Sequence, residues 1–386
     1  MFFFLCALLA LWLLLATDLT GGDGLPEIEG LTWREVSLPS GLDERLQPLL
    51  VGVPEGYDPS RETPLLVGIH TWSAGYRQYA PLLGPDCARR GWLLVLPHFR
   101  GPNLTTNPAA REAGGSLAAQ HDVLEAVHYV QAHYNVDPQR ILLTGGSGGG
   151  HMSLLLATKY PHVWAGVSAW CPITSLREWH AQGNSYAPHI EAVCGGAPGD
   201  SPEVDFEYLR RSPRTFITNL AATPVFIGHG DKDATIWVEQ TFKTYDVLRR
   251  HPHCAELYSW NGGHEMLVER ALEWLAGQTR PPDPPRELRI VSDEGKWYHW
   301  LYVEPAGPLA LGRVEATVTD DDPPGLRLQV ERCAEVQVQL AAVGLPETVA
   351  VQAINRPLQP GEAVVAKDVL KLRPARPEQS AYHLGC

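Results

Sequence analysis

The sequence predicts an α/β fold, a mostly parallel sheet interleaved with helices, followed by a small all-β unit. Three observations carry this reading. Short apolar runs alternate with helix-forming stretches up to residue 280. One of those runs ends in Gly145-Gly-Ser147-Gly-Gly149 and passes straight into helix formers. Beyond Pro281-Pro-Asp-Pro-Pro285 the apolar period becomes two.

Taken in order, the predicted strands are 31–37, 49–53, 65–70, 92–97, 141–144, 166–170, 224–228 and 256–260. Helices are expected over 117–133, where Leu124, Val127 and Val130 share a face, and over 149–159, 238–250 and 265–277. The first two strands are joined without a helix and the rest alternate with helices, which is the order of an α/β-hydrolase sheet. After the proline-rich stretch, runs at 314–318, 326–330, 336–340 and 349–353 alternate apolar and polar, and 320–325 reads as a hairpin connection. The expected organisation is a leader at 1–24, an α/β-hydrolase domain at 25–280, a linker at 281–285, and an immunoglobulin-like β-sandwich at 286–386.

Composition narrows the partners. Of 386 residues 44% are hydrophobic and 19% charged, which suits a packed globule. A net charge of −13 argues against nucleic acid or an anionic membrane surface. Residues 1–16 are apolar without a break, short for a membrane span, and polar small residues follow. This predicts an export signal, with an uncleaved anchor as the rival, so any membrane contact would run through this segment. Cys6 lies in it; the remaining cysteines permit disulfides, with Cys171–Cys194 the preferred pair. No C-x-x-C or H-x-x-x-H spacing appears, so neither a metal nor a cofactor is expected.

The glycine-flanked serine invites a chemical reading. A serine on a tight strand-to-helix turn projects its Oγ near the positive end of the helix, and only glycines leave room around it. A hydroxyl needs a base to remove its proton, and the base needs a carboxylate to orient it. In this fold the acid follows the seventh strand and the histidine the eighth. The seventh is followed by Gly228-His-Gly-Asp231-Lys-Asp233, where the H-G-x-x-D spacing favours Asp233 over Asp231. The eighth is followed by Asn261-Gly-Gly-His264. Ser147, Asp233 and His264 are thus the expected catalytic residues. An oxyanion hole is expected from the backbone N–H groups of Gly148 and Trp72. Trp170, Trp179 and Trp237 are candidates for a substrate pocket against the bland alternative of core tryptophans. Arg100 is a candidate for binding a substrate carboxylate, with loop bracing as the favoured alternative.

With these residues in hand, the chain resembles the catalytic domain of the prolyl oligopeptidase family. The matching motifs are His70-Thr-Trp-Ser, Phe99-Arg-Gly-Pro, Gly145-Gly-Ser-Gly-Gly-Gly-His-Met, Cys194-Gly-Gly, His229-Gly-Asp-Lys-Asp and Gly262-Gly-His-Glu, across about Pro64 to Ala276. The resemblance implies the same Ser147, Asp233 and His264. Peptidases of that family usually carry an N-terminal β-propeller, for which the chain before Pro64 is too short, and related propeller-free enzymes resemble feruloyl and acetyl-xylan esterases. An ester is therefore the expected small-molecule substrate, with a short peptide as the alternative. A glycan- or protein-binding role for the C-terminal sandwich is a further alternative.

Overall fold

The computed structural model describes residues 25–346 apart from 221–222, 251–254 and 322–323, together with the backbone of 350–354 and 373–374. The predicted leader, Cys6, Cys254 and Cys386 lie outside the described residues.

Eight strands form one sheet: β1 (Leu31–Pro39), β2 (Leu46–Pro54), β3 (Thr63–Ile69), β4 (Leu93–Pro97), β5 (Val136–Gly146), β6 (Gly166–Trp170), β7 (Val225–Gly230) and β8 (Ala255–Trp260). Their spatial order is β1-β2-β4-β3-β5-β6-β7-β8. The β2 strand runs antiparallel to β1 and β4, and every later neighbour is parallel. This is the sheet of the α/β-hydrolase fold. Its parallel strands are covered on both faces, which is why they read as unbroken apolar runs; all five residues of β4 and of β6 are buried.

The helices are α1 (Ala80–Arg90), α2 (Leu117–His133), α3 (Gly148–Lys159), α4 (Leu176–Ala181), α5 (Ala187–Cys194), α6 (Pro202–Arg210), α7 (Glu239–Leu248) and α8 (Val268–Ala276). On one face of the sheet Leu83 of α1 and Leu272 and Leu275 of α8 pack with Leu66 and Leu94. On the other, Val123 of α2, Leu155 of α3 and Leu248 of α7 pack with Val67 and Leu143. The α2 helix starts where Ser116 Oγ accepts the Ala119 N–H at 3.1 Å, a cap worth about 1 kcal/mol. Four helices go unread in the sequence. The α1 helix carries Pro85 inside it and ends on Gly91 at φ 66°; an internal proline reads as a break. Helices α4 to α6 are 6, 8 and 9 residues long, too short to show a period. They pack over Trp72 and Ile236 through Leu176, Trp179, Val193 and Tyr208.

Past residue 286 come β9 (Glu287–Ser292), β10 (Lys296–Tyr298), β11 (Leu301–Pro305), β12 (Gly312–Thr319), β13 (Gly325–Glu331), β14 (Cys333–Val338), β15 (Ala350–Ile354) and β16 (Arg373–Pro374). They form two small, mainly antiparallel sheets, β10-β11-β14-β16 and β15-β13-β12-β9. The expected hairpin joins β12 to β13, with Thr319 opposite Gly325. The run expected over 336–340 ends instead at Val338, because Leu340–Val343 turns into a 3₁₀ helix. Tyr298, Trp300, Val303, Leu328 and Val336 form a core of their own.

This β-rich part is joined to the large sheet by buried polar contacts. Asp293 Oδ2 accepts from Lys159 Nζ at 2.7 Å and from Arg210 Nε at 2.9 Å. Asn219 Nδ2 donates to Val291 O at 2.9 Å, and Val291 N donates to Asn219 Oδ1 at 2.7 Å. The ends of α3 and α6 are thereby tied to the end of β9.

Candidate active site

The turn between β5 and α3 is built around one strained residue. Ser147 has φ 58° and ψ −122°, a conformation that costs a non-glycine residue on the order of 1–3 kcal/mol. Its surroundings hold it there. Ser147 N donates to Trp170 O at 2.8 Å, and His151 N donates to Ser147 O at 2.9 Å. Just before it, Gly146 N donates to Tyr79 Oη at 3.1 Å. A Cβ on Gly148 would collide with the Trp72 backbone, and one on Gly149 with the Ile69 carbonyl. Ser147 is left half-buried at the head of α3, where the first helical N–H groups lack intrahelical acceptors.

Asp233 lies just past β7, and His264 lies in the loop between β8 and α8. His264 Nδ1 is 2.6 Å from Asp233 Oδ2. The other carboxylate oxygen, Oδ1, accepts the N–H groups of Thr235 at 2.8 Å and Ile236 at 3.0 Å. A second imidazole reaches the same carboxylate: His229 Nε2, from within β7, is 3.1 Å from Asp233 Oδ2. That nitrogen also faces Ile236 O at 3.0 Å, while Nδ1 is 2.7 Å from the Thr241 hydroxyl. Facing two acceptors, Nε2 carries the proton, and Nδ1 accepts from Thr241. Burial would raise the Asp233 carboxyl, but the hydrogen bonds from His229 and His264 outweigh it and hold it well below the usual carboxylate range. The carboxylate is fully enclosed, whereas the His264 side chain keeps 12% of its surface exposed.

The His264 loop lies against the serine turn. Met266 packs beside Gly146, and Cys171, directly after β6, has its Sγ 3.3 Å from Glu265 O. Two other imidazoles flank the turn and are neutral. Burial pulls His70 down to about 3 and His151 down to about 4. His151 Nε2 is committed to Arg211 O at 2.6 Å, and His70 stacks on Phe99. At the head of α3 the Trp72 backbone N closely approaches Gly148. Among the described residues no acceptor takes the Trp72 N–H, which leaves it available to a ligand oxygen.

Several sequence expectations are corrected by the geometry. Arg100 cannot bind substrate: its side chain is 2% exposed, and its guanidinium is spent on Asp122 at 2.6 Å, Asp43 at 2.6 Å, Glu112 at 2.7 Å and Ser40 at 2.9 Å. It braces loops. Trp170 is core, packed against Phe226 and Trp260 with Nε1 on Ser168 Oγ; only its carbonyl serves the site. Trp179 is buried edge-on to Trp72, and its Nε1 donates to Thr235 O at 3.0 Å. Trp237 alone of these tryptophans is open, 54% exposed, on the rim of an open hollow of about 490 Å³ that Asp233 also lines. Asp231 is exposed and its backbone N donates to Trp260 O, a turn role. Cys171 and Cys194 are both free thiols, since one lies under the His264 loop and the other in the cluster of α5 with Tyr208. His229 and Tyr79 were not singled out from the sequence. The H-G-x-x-D motif was the available signal for His229; Tyr79 carries none.

Comparison with known proteins adds an independent line. Residues 87–274 match the model of the prolyl oligopeptidase family. The chain is 26% identical over 165 residues to an uncharacterized peptidase, YtmA, of Bacillus subtilis, covering 42% of this chain and 60% of that one. It is 29% identical over 197 residues to a probable carboxylic ester hydrolase, LipM, of Mycobacterium tuberculosis, covering 46% and 43% respectively. The chain thus spans about half the length of the curated relatives it matches. The fold is shared with an acetyl xylan esterase from Paenibacillus sp. R4 at a TM-score of 0.53 and 18% identity, over 65% of this chain and 85% of that one. Residues 87–274 are therefore similar to the prolyl oligopeptidase family, relatives of the chain are named as peptidases and carboxylic ester hydrolases, and the sheet is that of an α/β-hydrolase fold.

Proposed function

We propose that this chain is an exported carboxylic ester hydrolase of the feruloyl or acetyl type, acting through Ser147, His264 and Asp233. The observation that carries the reading is the 2.6 Å contact of His264 Nδ1 with Asp233, set beside a serine at φ 58°. Ser147 Oγ attacks the ester carbonyl carbon while His264 Nε2 takes its proton. Asp233 fixes the imidazole tautomer and stabilises the imidazolium. The oxyanion is held by the N–H groups of Gly148 and Trp72. His264 then protonates the leaving alcohol, and a water activated by the same nitrogen releases the acid. Trp237 contacts the substrate. Export is supported by the apolar run at 1–16. The ester reading is supported by relatives named as esterases, and the peptidase name of another keeps short-peptide cleavage as the second reading.

Residues 25–280 carry the catalysis, and the segment after the 281–285 linker is an immunoglobulin-like sandwich that acts as a fixed buttress rather than a free glycan- or protein-binding module. The buried Lys159–Asp293 and Asn219–Val291 contacts support this. The test compares p-nitrophenyl acetate and ethyl ferulate with Xaa-Pro anilides, with Ser147→Ala as the control. The expected result is burst kinetics on esters and a loss of at least about 10⁴-fold in kcat for the variant. Undiminished turnover by Ser147→Ala would overturn the nucleophile, and faster cleavage of the anilides would overturn the ester assignment.

A further inference from the structure

We propose that Cys171, Asp233 and His264 form a binding site for a thiophilic divalent cation, zinc or cadmium, whose occupancy switches the hydrolase off. The switching half rests on the catalytic reading of His264 given above. The three side chains stand just beyond the ends of three neighbouring strands, β6, β7 and β8. One ligand atom from each, a thiol sulfur, a carboxylate oxygen and an imidazole nitrogen, lies within 4.8 Å of the others. Sulfur, nitrogen and oxygen together are a zinc donor set, and three protein ligands leave a fourth position for water. The sulfur adds selectivity: a carboxylate and an imidazole alone bind many divalent ions, whereas a thiolate favours soft ones.

The approach to the site is one-sided. Cys171 and Asp233 are buried, and His264 is the ligand that reaches solvent. The Cys171 Sγ is seated between the carbonyls on either side of His264, 4.0 Å from Gly263 O and 3.3 Å from Glu265 O. Tetrahedral zinc, with Zn–S of about 2.3 Å and Zn–N of about 2.0 Å, separates its ligand atoms by roughly 3.5 Å. The carboxylate–imidazole pair must open from 2.6 Å while the sulfur closes in, adjustments of about 1 Å within reach of side-chain rotation. Coordination replaces two protons. The thiol proton leaves to water, and the imidazole proton moves from Nδ1 to Nε2. A protonated Nε2 cannot accept from Ser147, so turnover stops.

The test titrates Cd²⁺ into the full chain, following the ultraviolet sulfur-to-cadmium band and ester hydrolysis together. Cys171→Ser and Cys171→Ala are measured in parallel, each normalised to its own metal-free rate. Because other cysteines are present, the band is read as wild type minus Cys171→Ser. The expected result is a Cys171-dependent band at one equivalent, the same band in Ser147→Ala, and inhibition at least tenfold tighter in wild type than in either cysteine variant, reversed by a chelator. Absence of that band, or equal inhibition in all three chains, would overturn the site. A Cys171-dependent band with turnover unaltered would support the site and overturn the catalytic reading of His264.

Discussion

Asp233 and Asp293 are both fully enclosed carboxylates, and the molecule uses them in opposite ways. Burial raises both, and in both the neighbours win and hold the carboxyl low. For Asp293 the neighbours are fixed charges: Lys159, Lys296 and Arg210. Lys159 is itself pulled down to about 8 by its own burial, which Asp293 only partly offsets. One oxygen of Asp293 takes Lys159 and Arg210, and among the described residues the other has no hydrogen-bond partner. For Asp233 the neighbours are two imidazoles and two backbone N–H groups, so both oxygens are used. The Arg210 guanidinium has no low-cost second protonation state near neutral pH, whereas an imidazole has one. The first arrangement fastens β9 to α3 and α6; the second can pass a proton.

The contrast is broken most sharply at Asp233. In Asp233→Asn an amide replaces the carboxylate and no longer fixes the Nδ1–H tautomer of His264. The expected fall in kcat is about 10⁴-fold. Far-ultraviolet dichroism should be unchanged, since Thr235 and Ile236 can still donate to the amide oxygen. A loss below tenfold would remove Asp233 from the mechanism.

Asp293→Asn should behave in the reverse sense. Removing one partner leaves Lys159 buried and uncompensated, at a cost of about 3–5 kcal/mol, read as a lower denaturation midpoint with kcat of the folded fraction intact. The pH dependence follows from the sign of the shift. Asp293 is lowered from 3.8 to about 2, so the unfolded chain binds its proton first on acidification. Its contribution is fully present above about pH 4 and fades as the pH falls toward 2. The Asn variant should therefore show a flatter stability profile between pH 4 and 2 than the wild type. Equal profiles would mean that folding does not lower the Asp293 pKa.

The same contrast explains what the sequence makes legible. The strand order could be read because parallel strands buried on both faces, such as β4 and β6, are unbroken apolar runs. Asp233 and His264 could be picked out because each follows a strand whose place in the order was readable, and the structure brings their side chains into contact. Lys159 and Asp293 could not: they are 134 residues apart, and nothing local marks a lysine on a helix or an aspartate after a strand as a buried pair. Loop bracing was the favoured reading of Arg100, but its four partners were hidden for the same reason, since they come from three separate segments. Cys171 carries no motif, and its place beside His264 depends on the adjacency of β6, β7 and β8. Helix α1 was hidden by Pro85, whose missing N–H the structure tolerates because Leu83 and Cys87 bury the helix against the sheet.

The smallest effect separates contact with substrate from contact with the fold. Trp237 is 54% exposed beside the hollow that Asp233 lines, so truncating it removes little packing, and Trp237→Ala should leave the thermal midpoint within a degree or two. If its ring lies against an aromatic acyl group, the loss is about 1 kcal/mol of binding, a KM for ethyl ferulate raised roughly fivefold with kcat held. Ethyl acetate, measured alongside, has no ring to stack, and its KM should barely move. That difference between two substrates is what a structural role for Trp237 could not produce, because a distorted Asp233 loop would lower kcat for both esters alike. Equal changes with the two esters would place the acyl group elsewhere and leave Trp237 as a surface residue of the β7–α7 connection.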